Sequence, residues 1–230
     1  LKRLWLILSV VVNMAVLLVF IRSGHSSYDV TSIFTGKGAM LKLFPVWGAG
    51  VFTLHGISYC MDIYRKEIEP EKNFLLVSQY ICFFPCFSCG PILRFSDMSE
   101  QLRKPVITSG KLAEGIKLML IGFAEKLFLS DPMYEMWQHI RGVSTDSLSA
   151  ACAWLGIIAF SFAFYYELRA YSHIAQGIGS MLGFKLPDNF DLPFMSAGFN
   201  ELIKRFACTF YSWVRDCLLY TSPSPRDAHE

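Results

Sequence analysis

From Trp5 to Ile21 the chain is almost unbroken apolar side chain, with Asn13 the one strongly polar residue. Such a run is about what a helix needs, at roughly 1.5 Å per residue, to cross a hydrocarbon core of about 30 Å. Lys2 and Arg3 flank one end and Arg22 the other. A secretory signal also starts basic, but here no small-residue cleavage site follows and more apolar blocks come later. The chain starts at Leu1 rather than Met, and the expectation is a sequence truncated at its N-terminus.

Apolar length places further membrane segments at about Phe44–Ile63, Phe74–Leu93, Leu112–Leu129 and Ala150–Tyr166, and a shorter one at Tyr171–Leu182. Of the 230 residues 53% are hydrophobic and only 17% charged, below the roughly 25% usual in soluble domains. The fourth segment carries Glu114, Lys117, Glu125 and Lys126, so it is expected at the interface or packed against other helices. The remaining charge gathers in the connections 65–73, 94–111 and 131–147. Lys and Arg fall on both sides of the expected spans, so the positive-inside rule leaves orientation open. With a net charge of +2 and no basic stripe interleaved with aromatics, nothing points to nucleic acid.

Cys82, Cys86 and Cys89 have a spacing that could hold an iron–sulfur cluster, but Phe83, Phe84, Pro85 and Phe87 between them make an apolar run. Buried thiols acting as small hydrophobes are the expected reading, with no metal site. The stretch 185–197 differs from the rest. Pro187, Asp188, Asn189, Asp191 and Pro193 oppose a helix, while Phe190, Phe194 and Met195 keep it apolar. Irregular backbone at membrane depth survives only inside protein or against a cavity, so a re-entrant or interfacial loop is expected. Asn200 would then cap a helix from Glu201 to Asp216, with Lys204, Arg205, Cys208 and Arg215 roughly on one side.

Five phrases stand in order along the chain: Gly56-Ile57-Ser58-Tyr59 with Asp62-Ile63-Tyr64-Arg65; Phe83-Phe84-Pro85 with Gly90-Pro91-Ile92-Leu93-Arg94; Tyr171-Ser172 with Ala175, Gly177, Gly179 and Leu182-Gly183-Phe184; Asn189-Phe190 with Pro193-Phe194 and Ser196; and Trp213-Val214-Arg215-Asp216. Together they resemble the membrane-bound O-acyltransferase family, in its alginate O-acetyltransferase-like branch, with the teichoic acid D-alanylation protein as a cousin. The resemblance implies an all-α, multi-pass protein of the cell membrane with a funnel of irregular helices. It implies transfer of an acyl group, acetyl in this branch, from a thioester donor such as acetyl-CoA or an acyl carrier to a hydroxyl of an envelope or extracellular polysaccharide. No bound cofactor is expected; membrane lipid and a polysaccharide-modifying partner protein are. A membrane-buried histidine would serve as general base, because a neutral imidazole titrates near operating pH.

The chain departs from that pattern at telling places. Where the family reads Arg-Arg-Trp-His, this chain has Lys204-Arg205-Phe206-Ala207, so the histidine position holds Ala207; the family's second histidine would lie beyond the end of the chain. The family's Asp-Phe-Ser-Gly-Tyr-Ser-Asp appears as Glu167-Leu168-Arg169-Ala170-Tyr171-Ser172-His173, and its paired lysines as Glu125-Lys126. Arg169 could pair with Glu167. His173 is a substitute candidate for the base, or a histidine satisfied locally or by Glu167. His25, His55 and His139 are read as structural. The expected substrate-binding residues are Arg205, Trp213, Arg215, Asp216, Asn189, Glu167, Tyr171 and Arg94. The arginine forks suit phosphate, carboxylate or a polarised carbonyl, or else pair with Asp97, Glu201 or Asp216.

Ala207 also motivates a second function: a catalytically inactive, family-shaped scaffold in an envelope assembly. A transporter would show internal repeats with paired broken helices, and a single irregular segment ranks it low. The string from Cys217 to Asp227 back-translates to a transposase adapter of sequencing libraries. Residues 1–216 are therefore expected to be a partial acyltransferase domain, and 217–230 adapter read-through.

Overall fold

The computed structural model describes residues 2–23, 49–86, 90–144 and 147–219. His25, Cys89, the start of the second expected segment (44–48) and residues 220–230 of the tail lie outside them. Among the described residues every regular element is helical. The chain divides into two compact units, Leu1–Ser88 with Ile92–Arg103 and Trp213–Glu230, and Cys89–Pro91 with Lys104–Ser212.

In the first unit, α1 (Lys2–Ser23) packs on α2 (Ala49–Arg65). Asn13, the polar residue of the apolar run, donates from Nδ2 to the Ser9 carbonyl at 2.9 Å, so its amide is satisfied inside its own helix. It rests against Gly56, where an added Cβ would stand 3.2 Å from Asn13 Oδ1.

The expected single span from Phe74 to Leu93 is not one helix. Asn73 caps α3 (Phe74–Ile81) through its side chain, and the helix gives way to a 3₁₀ turn at Phe84–Cys86. Pro85 has no N–H for the ladder and disfavours α geometry in the residue before it. Beyond Gly90-Pro91 the chain is extended to Arg94 and enters α4 (Phe95–Arg103), so part of the connection 94–111 is helical. Buried groups hold the return: the Tyr80 hydroxyl donates to the Leu93 carbonyl (2.8 Å), and the Leu93 N–H donates to His55 Nε2 (3.2 Å). Tyr80 stacks on His55 with ring centroids 5.1 Å apart and meets Phe95 edge-on at 5.3 Å.

The second unit is built on α5 (Ser109–Ala124) and the 32-residue α7 (Ala150–Met181). The two separate segments expected over 150–182 are one helix. Glu167 and Arg169 do not interrupt it because both are neutralised by partners on a facing element, described below. Alone among the described helices, α7 is long and apolar enough to cross a membrane, judged by length and composition. The fourth segment packs as expected. Its seam with α7 is lined by Gly115, Gly122 and Gly177, and a Cβ on Gly177 would stand 2.7 Å from the Gly115 carbonyl oxygen. Small residues let two backbones approach this closely. Glu114 and Lys117 are exposed, away from the seam.

After Ala124 the helix widens into a π turn, Glu125–Ser130, and continues as α6 (Asp131–Arg141), so the expected polar connection 131–147 is also largely helical. α7 ends at Gly183, whose φ of +91° is natural only for glycine, with the Phe184 N–H returning to the Gly179 carbonyl at 2.9 Å. The stretch 185–197 is irregular as expected, apart from a 3₁₀ turn at Pro193–Met195. Gln176 on α7 ties it down by donating to the Pro187 carbonyl (2.8 Å) and Asp188 Oδ1 (3.0 Å). Phe190 and Phe194 pack edge-on against buried Tyr165 at 5.8 and 4.9 Å.

The last expected helix is two. α8 (Phe199–Phe206) begins with Gly198 as its cap rather than Asn200, because Glu201 reaches back to accept from the Ala197 N–H at 2.9 Å. Ala207 leaves helical geometry (φ −151°, ψ 70°) before α9 (Cys208–Leu219) starts. With the break at Ala207, Lys204, Arg205, Cys208 and Arg215 no longer share one helical face.

Candidate functional site

The break at Ala207 is held by the irregular segment. The Asp191 N–H donates to the Arg205 carbonyl and the Cys208 N–H to the Asn189 carbonyl, each at 2.9 Å. Both bonds lie beside the one extended residue, so the helix interruption costs no backbone partner on either flank. The Asn189 side chain adds to this: its Oδ1 accepts from Thr209 Oγ1 at 2.6 Å. Asn189 and Arg205, expected as site residues, are thus brought together around the family's histidine position. The Arg205 guanidinium pairs with Glu201 one turn back (2.7 Å). Lys204 lies 5.8 Å from the Tyr211 ring centroid, a cation–π contact.

A second polar cluster sits where the π turn faces α7. Glu125 is buried; its Oε1 lies 3.2 Å from Arg169 Nε and its Oε2 lies 2.8 Å from His173 Nδ1. A carboxylate can only accept, so the proton of this contact sits on Nδ1 of His173. The pairing expected between Arg169 and Glu167 is therefore corrected: Arg169 goes to Glu125, and so does His173. Glu167 takes Lys126 instead, at 2.6 Å, and Lys126 also reaches Asp131 Oδ1 at 2.6 Å. Ser130 Oγ donates to the same Glu167 oxygen at 2.7 Å and lies 3.1 Å from the Ala163 carbonyl.

The π turn explains why these partners meet. It adds one residue to a helical turn and re-aims Lys126 and Ser130 toward α7 while Glu125 faces Arg169 and His173. Glu125 and Lys126 were visible in the sequence as charges in an apolar segment and as departures from a lysine pair; their opposite charges, complementary to Arg169 and Glu167, were the signal for the pairing. Lys126, Ser130, Asp131 and Glu167 open onto a cleft of about 250 Å³, walled by Tyr134, Phe160 and Phe164. Tyr171 lies one turn further along α7, half-buried.

The remaining expected residues fall in the first unit. Arg94 donates from Nη2 to Asp216 Oδ2 at 2.7 Å and lies 3.9 Å from Glu67, while Arg215 pairs with the other Asp216 oxygen at 3.1 Å. Two guanidinium groups thus converge on one carboxylate. Trp213 stands one turn before, half-buried. His55 is fully buried with Nε2 already engaged as an acceptor, and His139 is exposed on α6. Cys86 is buried and Cys82 exposed. A larger cleft of about 660 Å³ between α1 and α2 is lined mainly by apolar residues, with Lys66 and Glu69 as its charged members.

Among the described residues the structure is helical throughout its regular elements, with one long apolar helix and a helix break held by an irregular segment that contains Pro187 and Pro193. The chain belongs to the membrane-bound O-acyltransferase (MBOAT) family, whose profile matches residues 66–216. It is similar to a probable alginate O-acetylase, AlgI, of Pseudomonas aeruginosa, 31% identical over 219 residues covering 93% of this chain and 42% of that protein. It is also similar to a peptidoglycan O-acetyltransferase of Helicobacter pylori, 26% identical over 94% of this chain and 46% of that protein. A teichoic acid D-alanyltransferase of Streptococcus thermophilus is 26% identical over 76% of this chain and 43% of that one. The chain spans less than half the length of each of these curated relatives.

Proposed function

We propose that the intact protein is a multi-pass membrane O-acyltransferase that moves an acyl group, acetyl in the first instance, from a thioester donor to a hydroxyl of an envelope or extracellular polysaccharide. The observation that carries this reading is the family match over residues 66–216, joined to relatives named for acetyl and D-alanyl transfer to cell-envelope polymers. Membrane insertion is supported by α7, long and apolar enough to cross, and by its outward apolar side chains, among them Trp154, Leu155, Ile157 and Ile158; the further passes rest on the apolar lengths of the sequence. In this reading membrane lipid surrounds the helices, and a partner protein that modifies the polysaccharide works beside it. A donor such as acetyl-CoA or an acyl carrier is a substrate, not a resident group.

The chemistry needs three things: a base within hydrogen-bond reach of the acceptor hydroxyl, donors for the oxyanion that forms on the thioester carbonyl, and exclusion of water. In the second unit Arg205 is the proposed positively charged group for the donor or its carbonyl, with Asn189, Glu167 and Tyr171 as the expected binding residues of that unit; in the first unit the expected binding residues are Arg94, Trp213, Arg215 and Asp216. Ala207 can move no proton. The base is either His173, whose Nδ1 is held by Glu125, or a histidine that the family resemblance puts beyond residue 216.

The test is acetyl transfer from labelled acetyl-CoA to envelope polysaccharide in membranes carrying the intact protein. Arg205→Ala is expected to lower transfer about tenfold or more; no transfer by the unaltered protein with any acyl thioester would reject the reading. Ala207 raised the scaffold alternative, but the relatives named above as O-acetylase, O-acetyltransferase and D-alanyltransferase do not support it. Ala207→His in the intact protein separates the two: a gain of transfer marks a lost base, and an unaltered protein that already transfers removes the scaffold.

A further inference from the structure

The cleft of about 660 Å³ between α1 and α2 is apolar along its walls and charged at one end. Leu6, Ile63, Ile68 and Pro70 supply the apolar walls. A polar pair among them satisfies itself, with Ser9 Oγ and Cys60 Sγ 3.1 Å apart. An apolar ligand can therefore lie against these walls without stranding a polar group. The volume falls within the roughly 300–1,000 Å³ of small-ligand sites. The outward side of α1 is apolar too, with Ile7, Leu8, Val11 and Val12 exposed.

Lys66 and Glu69 mark the charged end, and helix register brings more charge to it. α1 and α2 run antiparallel: Ser9 meets Cys60 and, a turn further along α1, Asn13 meets Gly56, a turn back on α2. The same register sets Leu6 beside Ile63 and carries Lys2 and Arg3 level with the end of α2, at Lys66 and Glu67. The other acidic residues of this region have cations of their own. Glu67 lies 3.9 Å from Arg94, Glu71 pairs with Arg103, and buried Asp62 stands one turn before Arg65 on α2. At the cleft end Lys2, Arg3 and Lys66 then stand to the single carboxylate of Glu69, an excess of positive charge that attracts an anion. Lys66 itself is left-handed, with a φ of 64° that is uncommon outside glycine. Its ammonium is not needed to close α2, because the Lys66 N–H returns to the Ile63 carbonyl at 3.1 Å and the Glu67 N–H to the Asp62 carbonyl at 3.0 Å.

An apolar slot that ends in cations matches an acyl chain beneath an anionic headgroup. Basic residues at the ends of membrane helices attract anionic lipid, each contributing roughly fivefold in affinity. We propose that this cleft holds one anionic phospholipid, its acyl chain between α1 and α2 and its phosphate at Lys66, level with Lys2 and Arg3. The site rests on the membrane reading above and not on acyl transfer.

The experiment is native mass spectrometry of the intact protein released from detergent, with dioleoyl phosphatidylglycerol, dioleoyl phosphatidylcholine and glycerol 3-phosphate as probes. One phosphatidylglycerol is expected to be retained at about tenfold lower concentration than phosphatidylcholine, and glycerol 3-phosphate is expected not to displace it. Lys66→Asn, at an exposed position whose left-handed backbone suits asparagine, should weaken retention about fivefold. Lys72→Gln, exposed and outside the cleft, should change nothing. Cys60→Phe fills the cleft and should remove both lipids, with circular dichroism checking the helices; should that variant fail to fold, Lys66→Asn still decides. Equal retention of the two lipids, an equal loss from Lys72→Gln, displacement by glycerol 3-phosphate (a small-anion site instead) or no retained lipid each overturns the site. A protein that resists carbonate extraction yet retains no phospholipid sinks the site and spares the membrane reading.

Discussion

Glu125 is buried between a guanidinium and an imidazole; Arg169 also reaches the Tyr165 hydroxyl at 3.3 Å, but Glu125 is the carboxylate described beside it. Glu125→Gln removes the charge while keeping the shape, leaving Arg169 uncompensated beside α7. Breaking one side of a buried pair typically costs about 3–5 kcal/mol, so the variant should lose most of its margin in a denaturant titration in detergent. His173→Ala leaves the Arg169 pair intact and should cost about 1 kcal/mol; a loss equal to that of Glu125→Gln would contradict this arrangement. Glu201 offers a pH readout. The Ala197 N–H foremost, then Arg205, holds its carboxyl below the ordinary value of 4.5. A folded value below the unfolded one contributes stability above 4.5 that is lost as pH falls through the folded value. The Ala197 amide resonance should therefore titrate with a midpoint below 4.5, and Glu201→Gln should abolish the titration. At this scale the candidate residues were legible by type but their partners were not. Arg169 looked nearest to Glu167 along the chain, yet residues two apart on a helix point away from each other, and the facing π turn supplied the partners instead.

Between elements, the seam of α5 and α7 depends on atoms that are missing. A Cβ at Gly177 would stand 2.7 Å from a backbone oxygen that cannot move aside, and at Gly115 it would meet the Gly177 carbonyl at 2.6 Å. Gly177→Ala is expected to destabilise by about 1–3 kcal/mol, read as a lower melting temperature in detergent, whereas Gly50→Ala, with open space around it, should change little. Helix positions were largely readable from apolar length, but helix ends were not. The span expected over 74–93 breaks at Pro85 because tertiary partners, Tyr80 and His55, accept the returning chain. The gap expected between Tyr166 and Tyr171 closes because its charges are neutralised from outside the helix.

At the scale of the molecule, the outward face of α7 is apolar along Trp154, Leu155, Ile157, Ile158 and Phe164. A chain that inserts through such a face should stay in the membrane pellet after alkaline carbonate extraction, and release into the supernatant would argue against insertion. Composition and the order of five short phrases were enough, by themselves, to point to a helical chain of the acyltransferase family, because burial in lipid demands apolar runs whose backbone groups are satisfied within the segment. The tertiary structure alone decided that Ala207 sits in a break pinned by Asn189 and Asp191, that Glu125 and Lys126 divide α7's charges between them, and that a small aromatic-walled cleft opens beside them. Pairing of charges across helices depends on which faces meet and where a π turn shifts the register, and neither is encoded in local sequence spacing.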